Sequence, residues 1–161
     1  MNCHADPVEL DIPLLKKPVF HYQNRAEAPS ALVEYEKKLK AADAVVVVSA
    51  EYNHSIPPAL SNLIDHFGSS CYSFKPSGIV CYSMGQYGGM RAAMQLRSML
   101  GEIGSLSISY IFGVPKVQNM FDEQGNPLDD YMNTSSQKFI TELDWYANAL
   151  RNHREKAGIP R

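Results

Sequence analysis

The sequence predicts an α/β fold, one domain of 161 residues in which a parallel sheet is sandwiched between two helical layers. Three observations carry this. Ala44-Val45-Val46-Val47-Val48 is an unbroken apolar, mostly β-branched run, the pattern of a strand hidden on both faces. Strand-like runs alternate with amphipathic stretches along the chain. The hydrophobic fraction of 45% against 20% charged residues is that of a globular chain able to bury a core.

In chain order, residues 7–12 read as a short strand and 13–29 as a proline-punctuated connection containing His21-Tyr22. Ser30 is placed to cap a helix running to about residue 42, with Leu32, Tyr35, Leu39 and Ala42 on one face. Residues 44–49 form the central strand of the sheet. A polar turn follows, and Pro57-Pro58 open a helix to about residue 67, where a missing N–H costs nothing. Leu60, Leu63, Ile64 and Phe67 recur at helical spacing. Pro76-Ser77-Gly78 reads as a turn into a strand over 79–83. Gly88-Gly89 lead the next helix, whose stripe is Ala93, Leu96, Leu100 and Ile103, and Gly104 stops it. Residues 106–112 suit a strand, and 121–127 form an exposed turn. A final helix spans about 131–154, with Phe139, Leu143, Tyr146 and Leu150 on its face. There are no internal repeats.

Charge and composition remove several function classes. A net charge of −2 gives no electrostatic case for nucleic acid, and Lys37, Lys38 and Lys40 fit a solvated helix face. No apolar run approaches a membrane span, and the N-terminus lacks a signal pattern, so a soluble cytoplasmic protein is expected. The three cysteines, Cys3, Cys71 and Cys81, are widely spaced and form no Cys-x-x-Cys pair. They fit neither a disulfide framework nor a metal site, and Cys81 reads as a buried, inert thiol. The histidines show no metal spacing. His54 is either a ligand contact or an exposed loop residue.

Two loops carry the chemistry. The first is Ala50-Glu51-Tyr52-Asn53-His54-Ser55-Ile56-Pro57, at the carboxyl end of the central strand, where open α/β sheets bind ligands. The second is Ser83-Met84-Gly85-Gln86-Tyr87-Gly88-Gly89, followed by Arg91. Glu51-Tyr52-Asn53-x-Ser55-x-Pro57, with Leu60 and Asn62 beyond, closely resembles the signature of the NADPH-dependent FMN reductase family; the Ser83–Gly89 loop is a second match. Ala50 departs from it, standing where that family has proline. The resemblance runs from about residue 8 to 130. It implies a flavodoxin-like fold with strand order 2-1-3-4-5 and FMN at the switch point. It also implies NAD(P)H as hydride donor, a small acceptor such as quinone or flavin, and a homodimer or tetramer.

Relative to that family, the sequence as it stands is expected to lack one strand–loop–helix unit, on the order of 30–40 residues, at the N-terminal end. That unit brings the first strand and helix and a Gly-Ser-x-Arg loop for the FMN phosphate. The sheet is therefore expected to be incomplete. Residues 7–12, corresponding to the family's second strand, would pair directly with 44–49, stay detached or borrow a neighbour from another chain.

The resemblance places the backbone of Ala50, Glu51, Tyr52 and Asn53 against a flavin ring, with Tyr52 as cover. Ser83, Gly85, Gly88 and Gly89 form the second wall. No catalytic side chain is implied, because the cofactor carries the redox chemistry. Glu51 is expected to fix its loop rather than transfer protons. No Gly-x-Ser-x-Gly elbow, P-loop or zinc motif is present. A competing reading is a truncated, non-catalytic relative with weak or no FMN binding, since no loop before residue 43 offers aligned N–H groups for a phosphate dianion; Arg25 and Arg91 are the candidates to replace them. A receiver-type phosphoacceptor on the same fold has only Glu51 at a strand end. Self-association is expected through the helix carrying Leu60, Leu63, Ile64, His66 and Phe67. The two loops are expected side by side on adjacent strands.

Overall fold

The computed structural model describes residues 4–160. Three parallel strands, β1 (Val45–Ala50), β2 (Pro76–Tyr82) and β3 (Leu106–Val114), lie in chain order with β2 in the centre. Ala50 pairs with Tyr82 and Tyr82 with Val114, so the three strands end level. The helices are α1 (Ser30–Ala41), α2 (Pro58–Asp65), α3 (Ser69–Tyr72), α4 (Met90–Glu102) and α5 (Asp130–Ala157).

Alternate residues of the strands face opposite layers. Val47, Ile79 and Cys81 join Ala93, Leu96 and Leu100 of α4 in one core. Val80 and Phe112 join Phe139 and Leu143 of α5 in a second. Burying Leu96 and Leu100 fully contributes about 2 kcal/mol each. Gly78 allows α5 to approach: a Cβ there would stand 2.3 Å from Phe139 Cζ. Arg154, near the end of α5, donates to Phe74 O at 2.8 Å and to Asp43 at 2.7 Å, tying that helix to the entrance of β1. The buried Lys75 ammonium donates to the carbonyls of Leu39 and Lys40, closing the C-terminal end of α1.

Residues 7–12 do not form the expected strand. Asp6 Oδ1 accepts the N–H of Val8 at 2.7 Å and of Glu9 at 3.3 Å, and Leu10 N–H returns to Asp6 O. An aspartate before a proline closes a turn on itself, and Asp11 at φ 45° continues it. Of the alternatives foreseen for this segment, pairing with 44–49 does not arise, and the segment stays detached from the sheet. Among the described residues no strand borders the outer edge of β1. The α5 layer lies over β2 and β3, which leaves Val46 48% and Val48 61% exposed.

Smaller differences have local causes. Pro29 precedes α1 and its carbonyl accepts from Leu32 and Val33, so Ser30 is the first helical residue and not the cap. Pro76, Ser77 and Gly78 are extended, because β2 is gripped by strands on both sides. The short α3 has no counterpart in the sequence reading. Tyr146 is exposed, not buried with Phe139. Leu63 and Ile64 of α2, and His66 and Phe67 just after it, are all buried within the chain, and His66 Nε2 is 2.9 Å from Pro13 O. The apolar surplus expected to drive self-association is thus spent internally.

Cys71 and Cys81 are both buried; Cys3 lies outside the described residues. Burial pushes the Cys81 thiol up to about 12, with Glu51 adding to the rise. At pH 7 its thiolate is then on the order of one part in 100,000. Burial raises Cys71 too. Peptide-resolved labelling with a thiol reagent should leave both unmodified in the native protein and modify both in denaturant. Rapid native labelling of Cys81 would show that the β2–α4 core opens readily.

Candidate functional site

The carboxyl ends of β1 and β2 carry the two loops side by side, as the sequence leads one to expect. Glu51 N–H donates to Tyr82 O at 3.1 Å, continuing the sheet by one rung. Tyr52 and Ser55 then exchange both backbone hydrogen bonds, at 3.0 and 2.9 Å. Between them Asn53 and His54 both have positive φ, 50° and 63°. This is the hairpin turn in which both central residues are left-handed, one that asparagine tolerates better than most residues.

The second loop leaves β2 at Ser83, whose N–H reaches Val114 O at 3.2 Å and whose hydroxyl donates to Gly85 O at 3.2 Å. Lys116 and Val117, after β3, donate back to Gly85 O and Ser83 O. Gly88 and Gly89 have φ of 59° and 77°. A Cβ on Gly88 would lie 3.0 Å from Pro115 N; one on Gly89 would lie 2.8 Å from Cys81 Cβ. Glycine alone lets this backbone turn into α4 while hugging the sheet.

Glu51 joins the two loops. Its side chain is only 7% exposed, and its Oε2 accepts the N–H groups of Arg91 and Ala92 at 3.0 and 3.2 Å. Those are first-turn donors of α4, and a carboxylate is well placed at the positive end of a helix. The Arg91 guanidinium lies 3.4 Å from Glu51 Oε1 and 4.5 Å from the centre of the Tyr87 ring. Glu51 therefore fixes a loop, as expected, and with its oxygens so engaged it does not resemble a phosphoacceptor.

All eight sequence-selected residues meet in this one place: Ala50, Glu51, Tyr52 and Asn53 on one side, Ser83, Gly85, Gly88 and Gly89 on the other. Around them Tyr52 is 59% exposed and Tyr87 56%, and Met84 is exposed as well. The loop bonds use none of the N–H groups of Asn53, Gly85 or Gly88 among the described residues. Flat aromatic cover and free backbone donors beside open glycine backbone are what an isoalloxazine ring requires, so this end fits it. The His54 ring is exposed. Arg25 is committed elsewhere, to Val19 O at 2.6 Å and to the buried Glu36 at 3.2 Å.

Gln95 and Tyr87 were not singled out by sequence. Gln95 Nε2 donates to His54 O at 2.9 Å, and Ser55 Oγ donates to Gln95 Oε1 at 2.8 Å. A weak signal for it existed: Gln95 falls four residues after Arg91, on the same helix face.

Among the described residues, no helix is long and apolar enough to cross a membrane. The family model described as NADPH-dependent FMN reductase matches residues 2–119. An NAD(P)H-dependent FMN reductase of Pseudomonas aeruginosa is 31% identical over 128 residues, 76% of this chain and 69% of the relative. A quinone reductase of Escherichia coli K12 is 32% identical over 136 residues, 81% and 70% of the two chains. In structure, a flavoenzyme NAD(P)H:(acceptor) oxidoreductase from Paracoccus denitrificans superposes with a TM-score of 0.66 at 21% identity, covering 89% of this chain and 77% of that one. That likeness shows a flavodoxin-like α/β fold, present among the described residues as an incomplete sheet of three parallel strands.

Proposed function

The chain belongs to the NADPH-dependent FMN reductase family, and from that premise we propose that it works as a single-domain, FMN-dependent NAD(P)H oxidoreductase. It would pass hydride from NAD(P)H through FMN to a small acceptor such as a quinone or a flavin. One observation carries this reading: Glu51 locks the Tyr52-Asn53 turn and the glycine loop together at the carboxyl ends of β1 and β2.

FMN, when bound, supplies the hydride and electron chemistry. The backbone of Ala50, Glu51, Tyr52 and Asn53 would hold one edge of its ring, and Ser83, Gly85, Gly88 and Gly89 the other. Tyr52 would cover a face and exclude water. No side chain of the site needs to act as nucleophile or base. A cytoplasmic location and a homodimer or tetramer belong to the same reading. Self-association rests on the family resemblance, since the α2 face is buried in the chain, and sedimentation at working concentrations would read it.

A second reading, a non-catalytic relative with weak FMN binding, is favoured by the first 26 described residues. They form turns and two short 3-10 helices, and Arg25 is paired with Glu36. Charge-assisted phosphate contacts are worth roughly 1.5–3 kcal/mol each, so without an anchor the phosphate contributes little. Titration with FMN and with riboflavin, followed in the visible flavin bands, tests both readings. The expected result is saturable binding of both, with dissociation constants within about tenfold, and bleaching of the bound flavin by NAD(P)H. Binding without bleaching would favour the second reading. Absence of binding would end the first reading and leave the second. FMN binding orders of magnitude tighter than riboflavin would show a phosphate site, for which Arg91 is the available cation.

A further inference from the structure

The geometry points to Gln95 as a positioning residue for the flavin ring, holding the Asn53-His54 turn in the shape the ring meets. This rests on the reading that the turn faces the flavin. Asn53 and His54 both sit in the left-handed region, which non-glycine residues occupy at a cost. Such a turn persists only where its surroundings hold it. Its first residues are held by Glu51, which grips the first turn of α4. Its far side is held by Gln95, one turn further along the same helix. The amide uses both of its ends: Nε2 donates to His54 O and Oε1 accepts from Ser55 Oγ. A carboxylate could not donate to the carbonyl, and asparagine is a methylene too short to reach from the helix. The turn is thus clamped to α4 at two points, and a ring resting on it finds its donors already in place.

Gln95 is exposed, and its neighbours Ala93 and Leu96 make the core contacts, so replacing it leaves the fold intact. The test compares the unsubstituted chain with Gln95→Leu and Ser55→Ala. Three quantities are read: the melting temperature, amide hydrogen exchange over residues 52–55, and the dissociation constants for FMN and riboflavin. In Gln95→Leu the melting temperature should stay within about 2 °C. Exchange of the Tyr52 and Ser55 amides, the two that are hydrogen-bonded across the turn, should accelerate at least tenfold, and both flavins should bind at least tenfold more weakly. Ser55→Ala should give a smaller change in the same direction, and the double variant should add little to Gln95→Leu. Unchanged exchange in Gln95→Leu would overturn the latch itself. Faster exchange with unchanged flavin affinity would overturn its role in positioning. A melting temperature that falls in step with affinity would reduce Gln95 to a structural residue. If the unsubstituted chain binds neither flavin, the functional reading fails and this inference with it, whatever the exchange shows.

Discussion

Gly89→Ala is expected to destabilise the protein by about 3 kcal/mol, the sum of a left-handed alanine, about 1–2, and overpacking, about 1–3. Gly89 has φ 77°, and a Cβ there would stand 2.8 Å from Cys81 Cβ, 2.9 Å from Tyr82 N and 3.0 Å from Tyr82 O. Two of these obstacles are strand backbone, which has no rotamer to retreat into. For a domain of this size the melting temperature should drop by roughly 10 °C. Two other glycines serve as controls. Gly125 also has positive φ, 80°, but nothing lies within 4 Å, so Gly125→Ala should show only the backbone strain. Gly101 is helical and open, and Gly101→Ala should stabilise by about 0.5–1 kcal/mol. Thermal melts of the three, monitored by circular dichroism, decide the matter. A Gly89→Ala protein melting with the unsubstituted chain would mean that α4 does not approach the sheet this closely.

Glu51→Ala should cost about 2–3 kcal/mol and weaken flavin binding more than tenfold. The carboxylate side chain is largely buried and accepts two backbone N–H groups at the start of α4; without it, the part-buried Ala92 donor is left unpaired and the exposed Arg91 donor is left to solvent. The ion pair itself contributes little of this, because Arg91 is 42% exposed. Glu51→Gln separates the effects: its amide oxygen can still accept, but the charge facing the helix end is gone, so it should fall between. Urea unfolding gives the stability and a flavin titration the affinity. If Glu51→Ala unfolds within 0.5 kcal/mol of the unsubstituted chain, the carboxylate is not what joins the two loops.

Much of this architecture is legible from local pattern. The valine run is a strand as read, and Gly88-Gly89 before an Ala/Leu stripe leads a helix; but the run is an edge strand, not the central one, and Val46 and Val48 are exposed because no layer covers that face. The eight site residues stand in two short segments whose spacing carries its own signature, and two adjacent strand–loop–helix units bring such segments together. What escaped depends on contacts made elsewhere in the chain. Residues 7–12 alternate Val8, Leu10 and Ile12 with acidic residues, a strand pattern, yet Asp6 captures the amides that a ladder would need. Pro76-Ser77-Gly78 has turn composition, and only the neighbours on both sides keep it extended. Gln95 acts across 41 residues on His54, and no spacing within α4 announces its partner.

Gly78 has a consequence for how this sequence can change over time. The strand residue lacks a side chain because Phe139 of α5 occupies that space, so the two positions hold one volume between them. A larger residue cannot enter at 78 while the ring remains, and a smaller residue arriving first at 139 leaves a void until 78 fills it. Only the second order passes through an intermediate whose defect is a cavity and not a collision. Change at the β2–α5 contact is therefore expected to be tolerated in the helix before the strand, and Phe139→Ala should cost less in a Gly78→Ala background than alone.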